Sequence, residues 1–136
     1  MTEIAVTTTT YSNGNRAWLL FEADGVQGPV PRASGVINFA LFTAGTHYPN
    51  GFIPAGTVLG RVTSGGKLGP YSDAASDGRQ VAVGILYNDV KVPASTATPA
   101  NVAFVDCFAV ISEARLPDNH GLDANAKADL SKLHFR

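Results

Sequence analysis

Hydrophobic and polar positions alternate with a period of two in several short stretches, the pattern of half-buried β-strands. In residues 36–42, Ile37, Phe39 and Leu41 fall on one side and predict such a strand. Residues 16–21 predict another, with Trp18 and Leu20 sharing a face. Residues 58–63 and 81–87 are short apolar strands joined by a loop crowded with Gly, Pro, Ser and Asp. Residues 102–111 are apolar on both faces except at Asp106, as in a central strand covered on both sides. A carboxylate in that setting needs a partner, so Asp106 is expected to face a subunit boundary.

Between these stretches the chain turns often. Residues 22–34 hold two Gly and two Pro and read as a loop, and Asn50-Gly51 is a turn signal. Pro93 and Pro99 mark residues 92–100 as another surface loop. The one expected helix lies at about residues 122–133, where Leu122, Ala126, Leu130 and Leu133 form a single apolar stripe. Asp118 or Asp123 can cap its start, and Asp123 with Lys127 makes a supporting i,i+4 pair. Residues 1–15 lack a core pattern and end in the turn-forming run Ser12-Asn13-Gly14-Asn15. They read as a flexible N-terminal arm preceding one β-rich domain over 16–136. Because Ile4, Val6 and Thr7 to Thr10 are β-branched, the arm would make a good strand if offered an edge.

Composition narrows the function. Charged residues are only 15% of the 136, against about 25% in ordinary soluble domains, while 45% are apolar. Much of the folded surface must therefore be neutral or apolar, which favours docking on a protein or self-association. A net charge of −1 without a Lys/Arg cluster argues against nucleic acid. Cys107 is the sole cysteine, so an intrachain disulfide is impossible. The start carries no secretory pattern, and no apolar run reaches the roughly 18 residues needed to span a bilayer. Synthesis in a reducing bacterial cytoplasm is expected.

Chemistry is sparse. His47, His120 and His134 are scattered and none lies near Cys107, so no metal site and no cofactor are expected. Cys107, within an apolar stretch, reads as a small core residue. Asp73 and Asp77 lack the ligand alternation of a calcium loop and read as turn carboxylates that bond nearby amides. Gly65-Gly66-Lys67 fails as a phosphate loop, since Arg61 stands where a Gly is required and Leu68 follows the lysine. It reads as a hairpin turn. Pro31-Arg32-Ala33-Ser34-Gly35-Val36-Ile37-Asn38 resembles pieces of the trimeric dUTPases. Asn38 stands where that reaction wants a carboxylate, and an amide is no general base. A clip-type nucleotide hydrolase is thus an alternative reading. A carbohydrate-binding surface module is another, with Trp18, Tyr48, Tyr71 and Tyr87 as the possible aromatic platform.

One ordered set of segments stands out: Pro54-Ala55-Gly56-Thr57-Val58-Leu59-Gly60, then Asp77-Gly78, then Val81-Ala82-Val83-Gly84-Ile85-Leu86. With the ending SEARLPDNHGLDANAKADLSKLHFR, it resembles the head decoration proteins of tailed bacteriophages, the lambda-like family. The resemblance runs with gaps from about Trp18 to Arg136, and residues 22–51 are longer than in the smallest members. It implies a mostly β, β-clip-like small domain with short strands and long Gly/Pro loops. It also implies a homotrimer at threefold positions on the outer surface of the virion, a cement on a major capsid protein of HK97-type fold. That role involves no catalysis, cofactor, nucleic acid or membrane. On this reading the arm, through Glu3, Ile4, Val6, Thr8 and Thr10, is the capsid-binding segment, added to a sheet edge of the partner.

Overall fold

The computed structural model describes Trp18, Leu19 and residues 32–136. The expected arm, including Glu3, Ile4, Val6, Thr8 and Thr10, lies outside the described residues, as do most of residues 16–31. Nine short strands and two short helices make the described part mostly β, as expected. In chain order they are β1 (Ala33–Ile37), α1 (Ala44–His47), β2 (Phe52–Ile53), β3 (Val58–Arg61), β4 (Leu68–Pro70) and β5 (Ala82–Leu86). There follow β6 (Val90–Lys91), β7 (Ala100–Val105), β8 (Ala109–Ile111), α2 (Ala124–Asp129) and β9 (Leu133–Phe135).

Five strands close into a barrel in the order β1-β4-β3-β5-β7. All its ladders are antiparallel except β1 with β4, which are parallel. Closure leaves these strands no open edge. The two-residue period decides the packing. Ile37, Leu59, Leu68, Leu86, Val102 and Phe104, from all five strands, gather in one buried cluster. Their neighbours Val58, Ile85 and Val105 point the other way, into a second cluster with Trp18, Leu19, Tyr71, Ile111, Ala126, Leu130 and Leu133. The strands are thus apolar on both faces because α2, β8, β9 and the Trp18–Leu19 segment cover what the barrel turns outward. Each large side chain so buried is worth roughly 1.5–3 kcal/mol.

Several expected elements change at their ends. The strand expected over residues 36–42 stops at Ile37, and Phe39–Leu41 form a 3-10 turn. Ile37 and Phe39 are buried all the same, since that turn keeps both against the core. The loop expected between the two signature strands contains β4, placed between β1 and β3. Its sequence, Leu68-Gly69-Pro70, carries no strand signal. A Cβ at Gly69 would lie 2.7 Å from Leu41 Cδ1, so close packing rather than propensity dictates that glycine. The strand expected over 102–111 breaks at Asp106, Cys107 and Phe108 into β7 and β8. Cys107 therefore sits partly buried in a turn, not in the core. The expected hairpin turn is present: Val62 N donates to Lys67 O at 2.9 Å, with Gly65 and Gly66 at positive φ.

The terminal helix is shorter than the expected 122–133. Asp123 caps it, its Oδ1 accepting from Ala126 N at 2.8 Å, and the helix ends at Asp129. The apolar stripe is real, but Leu133 reaches the core from β9, which pairs in parallel with β8. Lys127 pairs with Glu113 instead of Asp123. Asp123 is occupied by the cap and by Tyr71, whose hydroxyl donates to it at 3.0 Å.

Candidate interaction surface

The signature segments build the barrel wall. Gly56 and Gly78 both need positive φ, +103° and +115°. At Gly78 a Cβ would stand 2.5 Å from Arg61 O, so no side chain can replace the hydrogen there. Beside it Asp77 accepts from Arg79 N at 3.2 Å and from Arg79 Nε at 3.0 Å. These bonds, the backbone one first, hold the Asp77 carboxyl below its usual range. Asp77 is the turn carboxylate its sequence context indicated.

The residues considered for chemistry take structural posts. Trp18, Tyr71 and Tyr87 are buried, so they cannot form the aromatic platform that a sugar-binding module needs. Tyr48 is half-buried elsewhere, against the barrel interior cluster. Arg32 stacks over the Tyr87 ring at 4.6 Å. Asn38 Oδ1 accepts from Ala40 N at 3.1 Å and caps the 3-10 turn. His47 Nδ1 accepts from Thr43 N, and His120 Nδ1 from Leu122 N, both at 2.8 Å. Burial lowers both histidines from their ordinary value; beside His47 the charge of Arg79 adds to the effect, while Glu113 and Asp118 oppose it at His120. Burial is also the main cause that raises Cys107, with a hydrogen bond to Asp106 adding to it. Such a thiol is a poor nucleophile.

Two surface features remain. One is a groove of about 650 Å³ where α2 meets the segment after β8 and the C-terminal residue. Ala114, Leu122 and Ala124 supply apolar lining, His120 contributes a ring, and the charged lining is balanced, with Glu113 paired to Lys127 and with Asp123 and Arg136.

The second is an apolar end of the barrel. Among the described residues, Val81 and Phe108 are the only large apolar side chains left exposed, at 51% and 75%. Both adjoin one corner. Ala82 N donates to Asp129 Oδ2 at 3.0 Å, and Phe108 N donates to Lys132 O at 3.0 Å. The corner between α2 and β9 therefore ties the two exposed side chains to one end of the molecule. Phe108 also has φ +57°, in the left-handed region. A bulky side chain there costs about 1–2 kcal/mol. The fold thus holds an exposed ring on a strained backbone. Sequence reading missed it because Phe108 lies within an apolar run that looked like one strand.

This surface suits adhesion between proteins: a closed barrel, an exposed aromatic and a shallow groove of mixed apolar and charged lining. In a comparison with protein families, the model described as Bacteriophage lambda head decoration protein D matches residues 8–135. The matched span includes Thr8 and Thr10 of the expected arm. No curated protein matches the chain.

Proposed function

The chain belongs to the lambda head decoration protein D family, and from that premise we propose that three copies assemble as a cement on the outer surface of a phage head. The trimers occupy threefold positions, their partner is a major capsid protein of HK97-type fold, and the clip-type architecture of the resemblance belongs to the same reading. The protein works by binding and carries out no reaction. The observation that carries this reading is the family match, which runs through the signature segments and the C-terminal helix.

The physics of the role is mass action. A protein that binds only the assembled lattice stabilises it by about 4 kcal/mol per site at a thousandfold excess over the dissociation constant. The arm, through Glu3, Ile4, Val6, Thr8 and Thr10, adds a strand to an edge on the capsid. Eight extended residues reach roughly 27 Å at about 3.3 Å each. Three arms on one trimer raise the effective concentration of each, so weak contacts sum to firm attachment.

Cosedimentation of the purified protein with expanded, undecorated capsids tests the proposal. Saturable binding with one trimer per threefold position is the expected result, and absence of binding overturns it. Incubation with dUTP is the companion assay: release of pyrophosphate would contradict a purely structural role.

A further inference from the structure

One hydrogen bond joins α1 to the loop that leads into α2: Asn119 Nδ2 donates to Thr46 O at 3.1 Å. A histidine fastens the chain on each side of it, His47 next to Thr46 and His120 next to Asn119. We propose that His47 and His120 make this contact an acid-sensitive latch, closed while both rings are neutral and opened when they take up protons.

The bonds themselves specify neutral rings. His47 N donates to Thr43 O at 2.8 Å, and Thr43 N returns a bond to His47 Nδ1, also at 2.8 Å. One pair of residues thus fastens the single turn of α1 at both ends. A helix of four residues has little stability of its own, so such ties decide whether it persists. On the other side, His120 O accepts from Val58 N at 2.9 Å and holds the loop against β3. His120 Nδ1 accepts from Leu122 N at 2.8 Å. Between the two fastened segments, Asn119 takes φ +58°, a left-handed position that asparagine tolerates. A ring nitrogen accepts only while it carries no proton, and an imidazolium has two donors and no acceptor. Protonation therefore sets N–H against N–H at Thr43 and again at Leu122.

The surroundings set the direction. The His47 ring stands edge-on to the buried Phe42 ring, 5.4 Å between centroids, and the charge that reaches it is Arg79, itself paired to Asp77. His120 faces Glu113, Asp118 and Asp123 on the acidic side and Lys127 and Arg136 on the basic side. Burial outweighs the acidic neighbours at His120, and burial with Arg79 acts in the same sense at His47, so both rings resist protonation while the latch is closed. Opening removes that resistance. The stability the two rings contribute is complete above the ordinary histidine value of 6.5 and is lost as pH falls from there toward the lower folded values. Each ring contributes at most about tenfold per pH unit in that window, and the two together about a hundredfold. The consequence is local. Leu122 leads directly into Asp123, the cap of α2, and lines the groove with His120, so opening loosens the first turn of α2 and one wall of the groove.

Amide hydrogen exchange and urea unfolding from about pH 7.5 to about pH 5, at one fixed protein concentration, test this. In the parent, the Thr43 and Leu122 amides should lose protection together as pH falls, after correction for the intrinsic exchange rate. The unfolding constant should rise by about tenfold or more across the window. His47→Asn and His120→Asn place an amide oxygen where Nδ1 stood, which accepts the same bond and does not titrate. The double variant should keep both amides protected in acid, and its unfolding constant should change less than about threefold. A parent whose unfolding constant is flat overturns the proposal, as does a double variant that keeps the parent's dependence. So does a dependence abolished by His134→Asn, which alters the third histidine, exposed on β9. If stability follows the two histidines while the Thr43 and Leu122 amides stay protected in acid, the latch does not open and the inference fails. The exchange measurement on the parent needs no substitution, so it decides the matter even where an asparagine change misfolds.

Discussion

Replacing Asp123 by alanine should cost far more than an exposed helix-start residue usually does, because one oxygen serves two donors. Its Oδ1 accepts from Ala126 N at 2.8 Å and from the Tyr71 hydroxyl at 3.0 Å. Loss of an N-cap costs about 1 kcal/mol, with a range of roughly 0.5–2. Tyr71 is only 6% exposed, so its stranded hydroxyl adds a penalty of about 1–3 kcal/mol. The expected loss for Asp123→Ala is therefore about 2–4 kcal/mol. At about 4 °C per kcal/mol, Tm should fall by roughly 8–16 °C. Tyr71→Phe keeps the cap and removes both the donor and the need for an acceptor, so it should cost about 1 kcal/mol. In the Tyr71→Phe background, Asp123→Ala should lose only the cap, again about 1 kcal/mol. The coupling between the two changes is then about 1–3 kcal/mol. Urea unfolding of the four proteins at one fixed concentration measures it, since stability coupled to assembly depends on protein concentration. Additivity within about 0.5 kcal/mol would refute the shared-oxygen account. The same hydrogen bond, after burial, holds the Tyr71 hydroxyl above its ordinary pKa, so it stays a donor through the neutral range.

Other perturbations test different links. Gly84→Ala puts a Cβ 2.3 Å from the Phe104 ring in the barrel interior and should destabilise by about 1–3 kcal/mol, read as a lower urea midpoint. Asp77 has a folded pKa below its ordinary 3.8, so its contribution is present above that value and lost as pH falls through the lower folded pKa. Asp77→Asn should therefore make stability less sensitive to acid in that window; an unchanged acid limb in a pH series of melts would contradict the turn's role. Deleting residues 1–10 should leave the protein folded while weakening cosedimentation with capsids, and undiminished binding would remove the arm from the proposed mechanism.

Legibility followed distance along the chain. The hairpin turn at Gly65-Gly66-Lys67, the Asp77-Gly78 turn, the Asp123 cap and the burial of Ala126 and Leu130 by the terminal helix were all readable. Each depends on residues within a turn or two of one another, where φ preference and side-chain spacing act directly. The candidate site was not. Phe108 is exposed because Lys132, 24 residues on, holds its amide and breaks an apolar run that would otherwise continue as a strand. The groove exists only where α2, the segment after β8 and the C-terminal residue meet.

From its residues alone the chain determined a mostly β fold, a low-charge surface and the segments that mark its family. Tertiary structure decided the rest. Leu68-Gly69-Pro70 became a strand because barrel closure needs a partner for both β1 and β3, and Leu133 left the helix because β8 offered it a parallel ladder. Local preference is worth tenths of a kcal/mol per residue, while burying one large side chain is worth roughly 1.5–3. Where the two conflict, pairing and burial across the fold prevail.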